Sequence, residues 1–169
     1  MGESLTIGNV SANKGETKWG VLEGVELYDG TRMDIPVIVV NGTMEGPTFL
    51  IASDAVNARN VEVQGIEVIR RVMREEVDVK KLKGSIIGIP LSNPLAFQSA
   101  LTTTSAGDGN MFNTAADNPD GTTTERLANA QWEQAWSKAD YAINLYARTP
   151  ENSIIYQSKE HHPQRQEKH

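Results

Sequence analysis

The stretch Thr48-Phe49-Leu50-Ile51-Ala52-Ser53-Asp54-Ala55-Val56-Asn57-Ala58-Arg59-Asn60-Val61-Glu62 decides how this chain is read. Its first five residues form an apolar strand. Beyond it, Val63, Ile66, Ile69, Val72 and Met73 recur at helical spacing and make one apolar stripe over 63–76. A strand that passes through a polar loop into a helix is the unit of an open α/β sheet. Such sheets build their sites at the carboxyl ends of their strands. The loop 54–62 therefore occupies a site position. Glu62 is its strongest metal-binding residue type, and it contains no histidine.

Upstream of this unit, Ile35-Pro36-Val37-Ile38-Val39-Val40 is a β-branched run of the kind found in buried strands. Residues 18–27 alternate loosely. Asp29-Gly30 supplies the positive φ of a tight turn between them and the strand 33–40. Residues 41–47 form another turn, and residues 1–17 are polar with little pattern. Downstream, 84–90 is a strand stopped by Pro90, and 91–121 reads as a long irregular region rich in Ser, Thr, Asn, Gly and Asp. Thr122-Thr123-Thr124-Glu125 is a capping box. The helix after it places Ala128, Trp132, Ala135 and Ala139 on one face, with Trp136 adjoining. Residues 141–146 are a strand, and 153–156 read as one more. A hairpin, a strand and then βαβ units predict an α/β fold: a mixed, mainly parallel sheet flanked by helices. Residues 1–157 are expected to form a single domain, with 158–169 a polar, disordered tail.

Composition narrows the functions. The 169 residues carry a net charge of -6, and the pI is about 5.1. Nucleic acid calls for a clustered basic surface. Here Arg70, Arg71, Lys80, Lys81 and Lys83 are interleaved with Glu75, Glu76 and Asp78, which reads as a solvated helix end. No cysteine is present, so thiolate zinc sites, disulfides and cysteine nucleophiles are excluded. A membrane helix needs a run of about 20 apolar residues, and none approaches that length. The start has no charged region followed by an apolar one, so no secretory signal is read and a cytoplasmic location is expected.

Further residues carry a resemblance. Ile35 to Gly42, Glu45-Gly46-Pro47-Thr48, Gly65 to Arg70, Lys83 to Phe97, Asn118 to Ala128 and Ala139 to Leu145 stand in the order and rough spacing of one family. Over about 19–147 the chain resembles the N-terminal part of the succinylglutamate desuccinylase/aspartoacylase family, zinc hydrolases related to carboxypeptidase A. The resemblance implies a truncated zinc-carboxypeptidase-type (phosphorylase/hydrolase-like) fold. It also implies a zinc ion on two histidines and a glutamate, with an open position for water. Counting back from Gly65 puts Glu62 on the family's glutamate and Arg59 on its first histidine, with Asn57 as another counterpart. The second histidine closes an Asp-Leu-His motif, which here is Asn144-Leu145-Tyr146. The family's substrate-binding Asn-Arg pair falls on Phe112-Asn113, within 110–117, and an upstream arginine falls near Thr102. The family's general-base glutamate lies beyond the end of this chain. The framework positions match the family while the chemical positions are replaced together.

The resemblance implies a catalytically inactive, zinc-less relative of N-acyl-amino-acid deacylases, with no cofactor. Its degenerate cleft would be built from Asp54, Asn57, Arg59, Glu62, Asn110, Asn113, Asn144 and Tyr146, and would bind a small ligand or mediate protein contacts. Arg59 beside a helix N-terminus could hold a small anion, although a surface arginine is the plainer reading. Tyr146 could line a pocket, or could fill the space of a lost metal. The alternative is a metal-dependent hydrolase with a rebuilt oxygen site on Asp54, Glu62 and Asp108. Against it, Asp54 reads as a turn residue and Glu62 as a helix start. A third reading is a purely structural or assembly module. His161, His162 and His169 are the only histidines, and they read as part of a polar tail. A truncated sheet exposes an edge or a helix face, so a homo-oligomer is expected, with a dimer the simplest form. No nucleic-acid or membrane partner is expected.

Overall fold

The computed structural model describes residues 4–27, 29–53, 62–99 and 116–145. A small hairpin of β1 (Leu5–Ile7) and β2 (Val10–Ala12) comes first. Three strands follow: β3 (Glu16–Glu26), β4 (Arg32–Asn41) and β5 (Met44–Ser53). Helix α1 (Glu62–Arg71) runs on into a π-helical turn, Val72–Glu76, and leads to β6 (Lys83–Ile89). Short α2 (Pro94–Ser99) and α3 (Thr123–Gln134) precede a 3-10 turn, Trp136–Lys138, and β7 (Tyr141–Leu145). Strands β3 to β7 form one sheet in the order β3-β4-β6-β5-β7.

The sheet is mixed, but it is not mainly parallel. β4 pairs antiparallel with β3 on one side and with β6 on the other. Only β6-β5 and β5-β7 are parallel, and their ladders are shorter in sum. The cause is the link between β4 and β5. Two residues, Gly42 and Thr43, separate these strands, so they must run in opposite directions. β6 then inserts between them. It arrives through the α1 crossover, which makes it parallel to β5 and therefore antiparallel to β4. The N–H groups of Gly42 and Met44 donate to the carbonyls of Gly84 (2.9 Å) and Leu82 (3.4 Å) and tie the link across the start of β6.

The unbroken apolar run of β4 is explained by cover on both faces. Ile35, Val37 and Val39 join a core with Leu22, Leu50, Ala52, Ile87, Ile89, Leu127 and the hairpin residues Ile7, Val10 and Ala12. Ile38 and Val40 point the other way, against Ile69 and Met73 of the α1 segment. Each fully buried aliphatic side chain contributes about 1.5–3 kcal/mol. Pro36 lies inside this strand, where a missing N–H would normally break a ladder. The β4-β6 pairing begins only at Ile38, so no bond is lost there.

Several local expectations need correction. The patternless segment 1–17 contains β1 and β2, whose three-residue strands are too short to show a period. The irregular region 91–121 contains α2, with Asn93 as its cap: Asn93 Oδ1 accepts the Ala96 N–H at 3.1 Å. In α3 the buried face is Thr123, Thr124, Leu127 and Gln131, while Ala128 and Trp132 are only half-buried. Ala135 and Ala139 are buried, but they lie beyond the end of the α-helix. The Asp29-Gly30 turn is present, with Gly30 at φ +81. The basic cluster after α1 is solvated: Arg71 pairs with Glu75 and Glu76, and Lys81 pairs with Asp78.

The capping box forms as read. Glu125 N–H donates to Thr122 Oγ1 (3.3 Å), and Thr122 N–H donates to Glu125 Oε2 (2.7 Å). The Thr122 backbone amide, then the Asn118 carboxamide, hold the Glu125 carboxyl below its ordinary 4.5. A lowered folded-state value means that the stabilisation is complete above 4.5 and is lost as pH falls through the lowered value. Thr122→Ala is expected to cost about 1 kcal/mol at neutral pH. Glu125→Gln is expected to flatten part of the acid sensitivity. Thermal unfolding followed from neutral to strongly acid pH checks both. A Glu125→Gln profile superimposable on the parent's would remove the assigned role.

Candidate functional site

The three parallel strands end together. Ala52 lies opposite Ile89 on one side and Asn144 on the other, and Ser53 lies opposite Leu145. The Ser92 N–H donates to the Ser53 carbonyl at 3.1 Å, which holds the segment after β6 against the last residue of β5. The Ser92 carbonyl in turn accepts from Gln131 Nε2 at 3.1 Å and anchors α3 at the same point. Asn93 and Pro94 then open α2 as cap and first helical residue. From the other face, the first turn of α1 closes on the strand end. A Cβ placed on Gly65 would lie 2.3 Å from Ser53 Oγ and 3.2 Å from Ser53 Cβ, so glycine lets the helix approach this closely without turning the hydroxyl aside.

The result is a polar floor at the carboxyl edge of the sheet. Ser53, Ser92, Asn93 and Gln131 are buried, and Asn144 is half-buried. These hydroxyls and carboxamides can orient a polar ligand by hydrogen bonds. None of them titrates near neutrality, so this floor supplies neither a general base nor an activated nucleophile. Among the described residues, the carboxylates whose pKa values the fold lowers, Glu16, Asp29 and Glu125, lie at the start of β3, in a turn and at a helix cap, not at these strand ends.

Of the expected site residues, the described structure places two. Asn144 is on β7 opposite Ala52, one residue from the Ser53-Leu145 pair. Glu62 is the first residue of α1. Asp54, Asn57, Arg59, Asp108, Asn110, Asn113 and Tyr146 lie outside the described residues. Sequence reading passed over Ser53 and Gln131, and took Gly65 and Asn93 only as parts of the segments that carry the resemblance. Asn93-Pro94 was a visible cap and first-turn pair. Gln131 carried no such sign, because its role depends on α3 packing against Ser92.

The described strand ends present hydroxyls and carboxamides. A zinc site takes imidazole, thiolate or carboxylate. The residues next to the β5-β7 end are Ser53, Asn144 and Leu145, and position 146 is tyrosine. Among the described residues, no group of three or more His, Cys, Asp or Glu could hold a metal.

No protein-family model matches the sequence, and no curated protein matches it either. Solved structures do. An aspartoacylase family protein from Mesorhizobium loti shares 25% identity, with a TM-score of 0.63 over 79% of this chain and 40% of that one. The product-bound ectoine utilization protein EutE from Ruegeria pomeroyi matches at 22% identity and TM-score 0.66, over 80% of this chain and 41% of its own. A succinylglutamate desuccinylase from Silicibacter sp. TM1040 matches at 19% identity and TM-score 0.67, over 85% and 43%. The chain thus spans about two fifths of the length of these structures. Among the described residues no helix is long and apolar enough to cross a membrane. In fold and in extent, the chain corresponds to an N-terminal part of succinylglutamate desuccinylase/aspartoacylase family proteins.

Proposed function

We propose that the chain is a zinc-less, non-hydrolytic relative of N-acyl-amino-acid deacylases that uses the retained cleft to bind a small anionic ligand. The supporting observation is the donor set. Every histidine of the chain lies at 161, 162 or 169, and the family's ligand positions hold Arg59 or Asn57, Glu62 and Tyr146. One carboxylate cannot replace two imidazoles and a glutamate around zinc. Without the ion, amide hydrolysis loses both its Lewis acid and its activated water. What stays is a floor of hydroxyls and carboxamides beside the amino end of α1, where a negative group is favoured. Arg59 supplies the countercharge. Self-association, most simply as a dimer, belongs to the same reading and is read out by sedimentation.

The test is metal analysis of protein purified without chelators, in which His161, His162 and His169 are all replaced by alanine. Zinc well below one ion per chain is expected. Chelation should leave the thermal midpoint unchanged. Stoichiometric zinc in this variant overturns the proposal. So does hydrolysis of N-acyl amino acids that is abolished by Asp54→Ala or Glu62→Ala, because it would establish the rebuilt carboxylate site. Thermal-shift binding of small carboxylates, weakened by Arg59→Ala, completes the test.

A further inference from the structure

We propose that the outer edge of β3 is closed to strand addition by two amide clamps, Asn9 and Gln134, which suppress association through this border of the sheet. β3 is an eleven-residue strand that pairs with β4 on one side only within the sheet. The free backbone groups of such a border are a template for another chain. Two of its residues are already occupied. Asn9, in the turn between β1 and β2, donates its backbone N–H to the Val21 carbonyl at 3.0 Å and accepts the Val21 N–H on Oδ1 at 2.8 Å. Gln134, the last residue of α3, repeats the arrangement at Glu23. Its Oε1 accepts the Glu23 N–H at 2.8 Å, and its Nε2 donates to the Glu23 carbonyl at 2.7 Å. Each clamp supplies the donor and the acceptor that an incoming strand would offer at that residue.

The surrounding sequence fits the clamps. A Cβ on Gly20 would lie 2.5 Å from Asn9 Oδ1, and one on Gly8 would lie 2.2 Å from the Val21 carbonyl oxygen. Both glycines let the turn reach the strand. At Glu23 the strand carries an irregularity, because the register shifts between Leu22 and Val25. The Gly24 N–H is taken by Asp34 Oδ1 at 3.0 Å. A bulge and side-chain cover are both devices that blunt an edge. Trp19, 48% exposed on the same strand, carries the Arg74 guanidinium over its ring at 5.5 Å from the centroid, which sets a charge where a neighbour would stack.

The test compares the full chain with Asn9→Ala/Gln134→Met, which removes three of the four clamp bonds, by sedimentation velocity over a concentration series. Circular dichroism confirms the fold. The expected result is at least a tenfold rise in self-association over the parent's own state. Adding Thr17→Pro should reverse it. Thr17 pairs with Val40 at the same parity as Val21 with Pro36, so proline there denies an N–H to an added strand without breaking a β3-β4 bond. A folded double variant that associates like the parent overturns the proposal. Association that persists with Thr17→Pro also overturns it, because the contact would lie elsewhere. If the double variant does not fold, Gln134→Met alone and hydrogen exchange decide. The Glu23 amide should exchange at least tenfold faster than in the parent, with the amides of β4 unchanged. Unchanged exchange at Glu23 rejects the clamp.

Discussion

Gly84→Ala is expected to destabilise the protein by about 3–4 kcal/mol, a large share of the stability of a single domain. Gly84, the second residue of strand β6, holds φ +82, a conformation that side chains rarely adopt. A Cβ there would also lie 2.0 Å from the Pro47 carbonyl oxygen and 2.7 Å from the Gly46 carbonyl carbon. Both obstacles are backbone of β5, so no rotamer change relieves them. β5 and β6 would have to separate where their register already shifts between Met44 and Thr48. Gly30 provides the comparison. It has φ +81 and nothing within 4 Å of its virtual Cβ. Gly30→Ala should therefore show the conformational cost alone, about 1 kcal/mol. Urea unfolding of both variants separates the two terms. Equal losses would mean that the contact with Pro47 carries no energy.

Leu50→Ala is the second large effect. Leu50 is fully buried on β5, the strand flanked by both parallel neighbours, opposite Ile87 and Ala142. Truncation removes the transfer energy of three methyl(ene) groups and leaves a hole that a sheet packed on both faces closes poorly. About 3–4 kcal/mol should be lost. Ile51 on the same strand points to the opposite face and is only half-buried. Ile51→Val should cost about 1 kcal/mol or less. A Leu50→Ala loss near 1 kcal/mol in urea unfolding would show that the core collapses around the truncation.

Much of the fold was legible in local pattern. The apolar run 35–40, the strand 48–52, the helical stripe after 62 and the capping box at Thr122 each declare themselves within a dozen residues. The shortest elements did not. β1 and β2 have three residues each, and α2 has six. Their stability comes from what they pack on, not from any period. The face of α3 was misread because Thr124 and Gln131 are polar, yet both are buried. Gln131 is satisfied by the Ser92 carbonyl, 39 residues away in sequence. A side chain buried on such terms looks like a surface residue when only its own helix is considered.

The site divides in the same way. The resemblance sets Arg59 or Asn57 and Tyr146 where the family has histidines and keeps Glu62 as the glutamate, a reading that rests on residue type alone. The strand-end floor is different. Ser53 meets Ser92 and Gly65 only because β6 slots between β4 and β5 and α1 closes over the end of β5. By itself, the sequence determined the longer strands and helices and the residue types at the strand ends. The tertiary structure decided strand order and direction, hence a mixed sheet with antiparallel pairing around β4, and it decided which polar groups meet at the strand ends. The physical reason is range. Propensity and capping act over a few residues, whereas strand pairing and buried hydrogen bonds join residues tens of positions apart, and their partners exist only once the chain has packed.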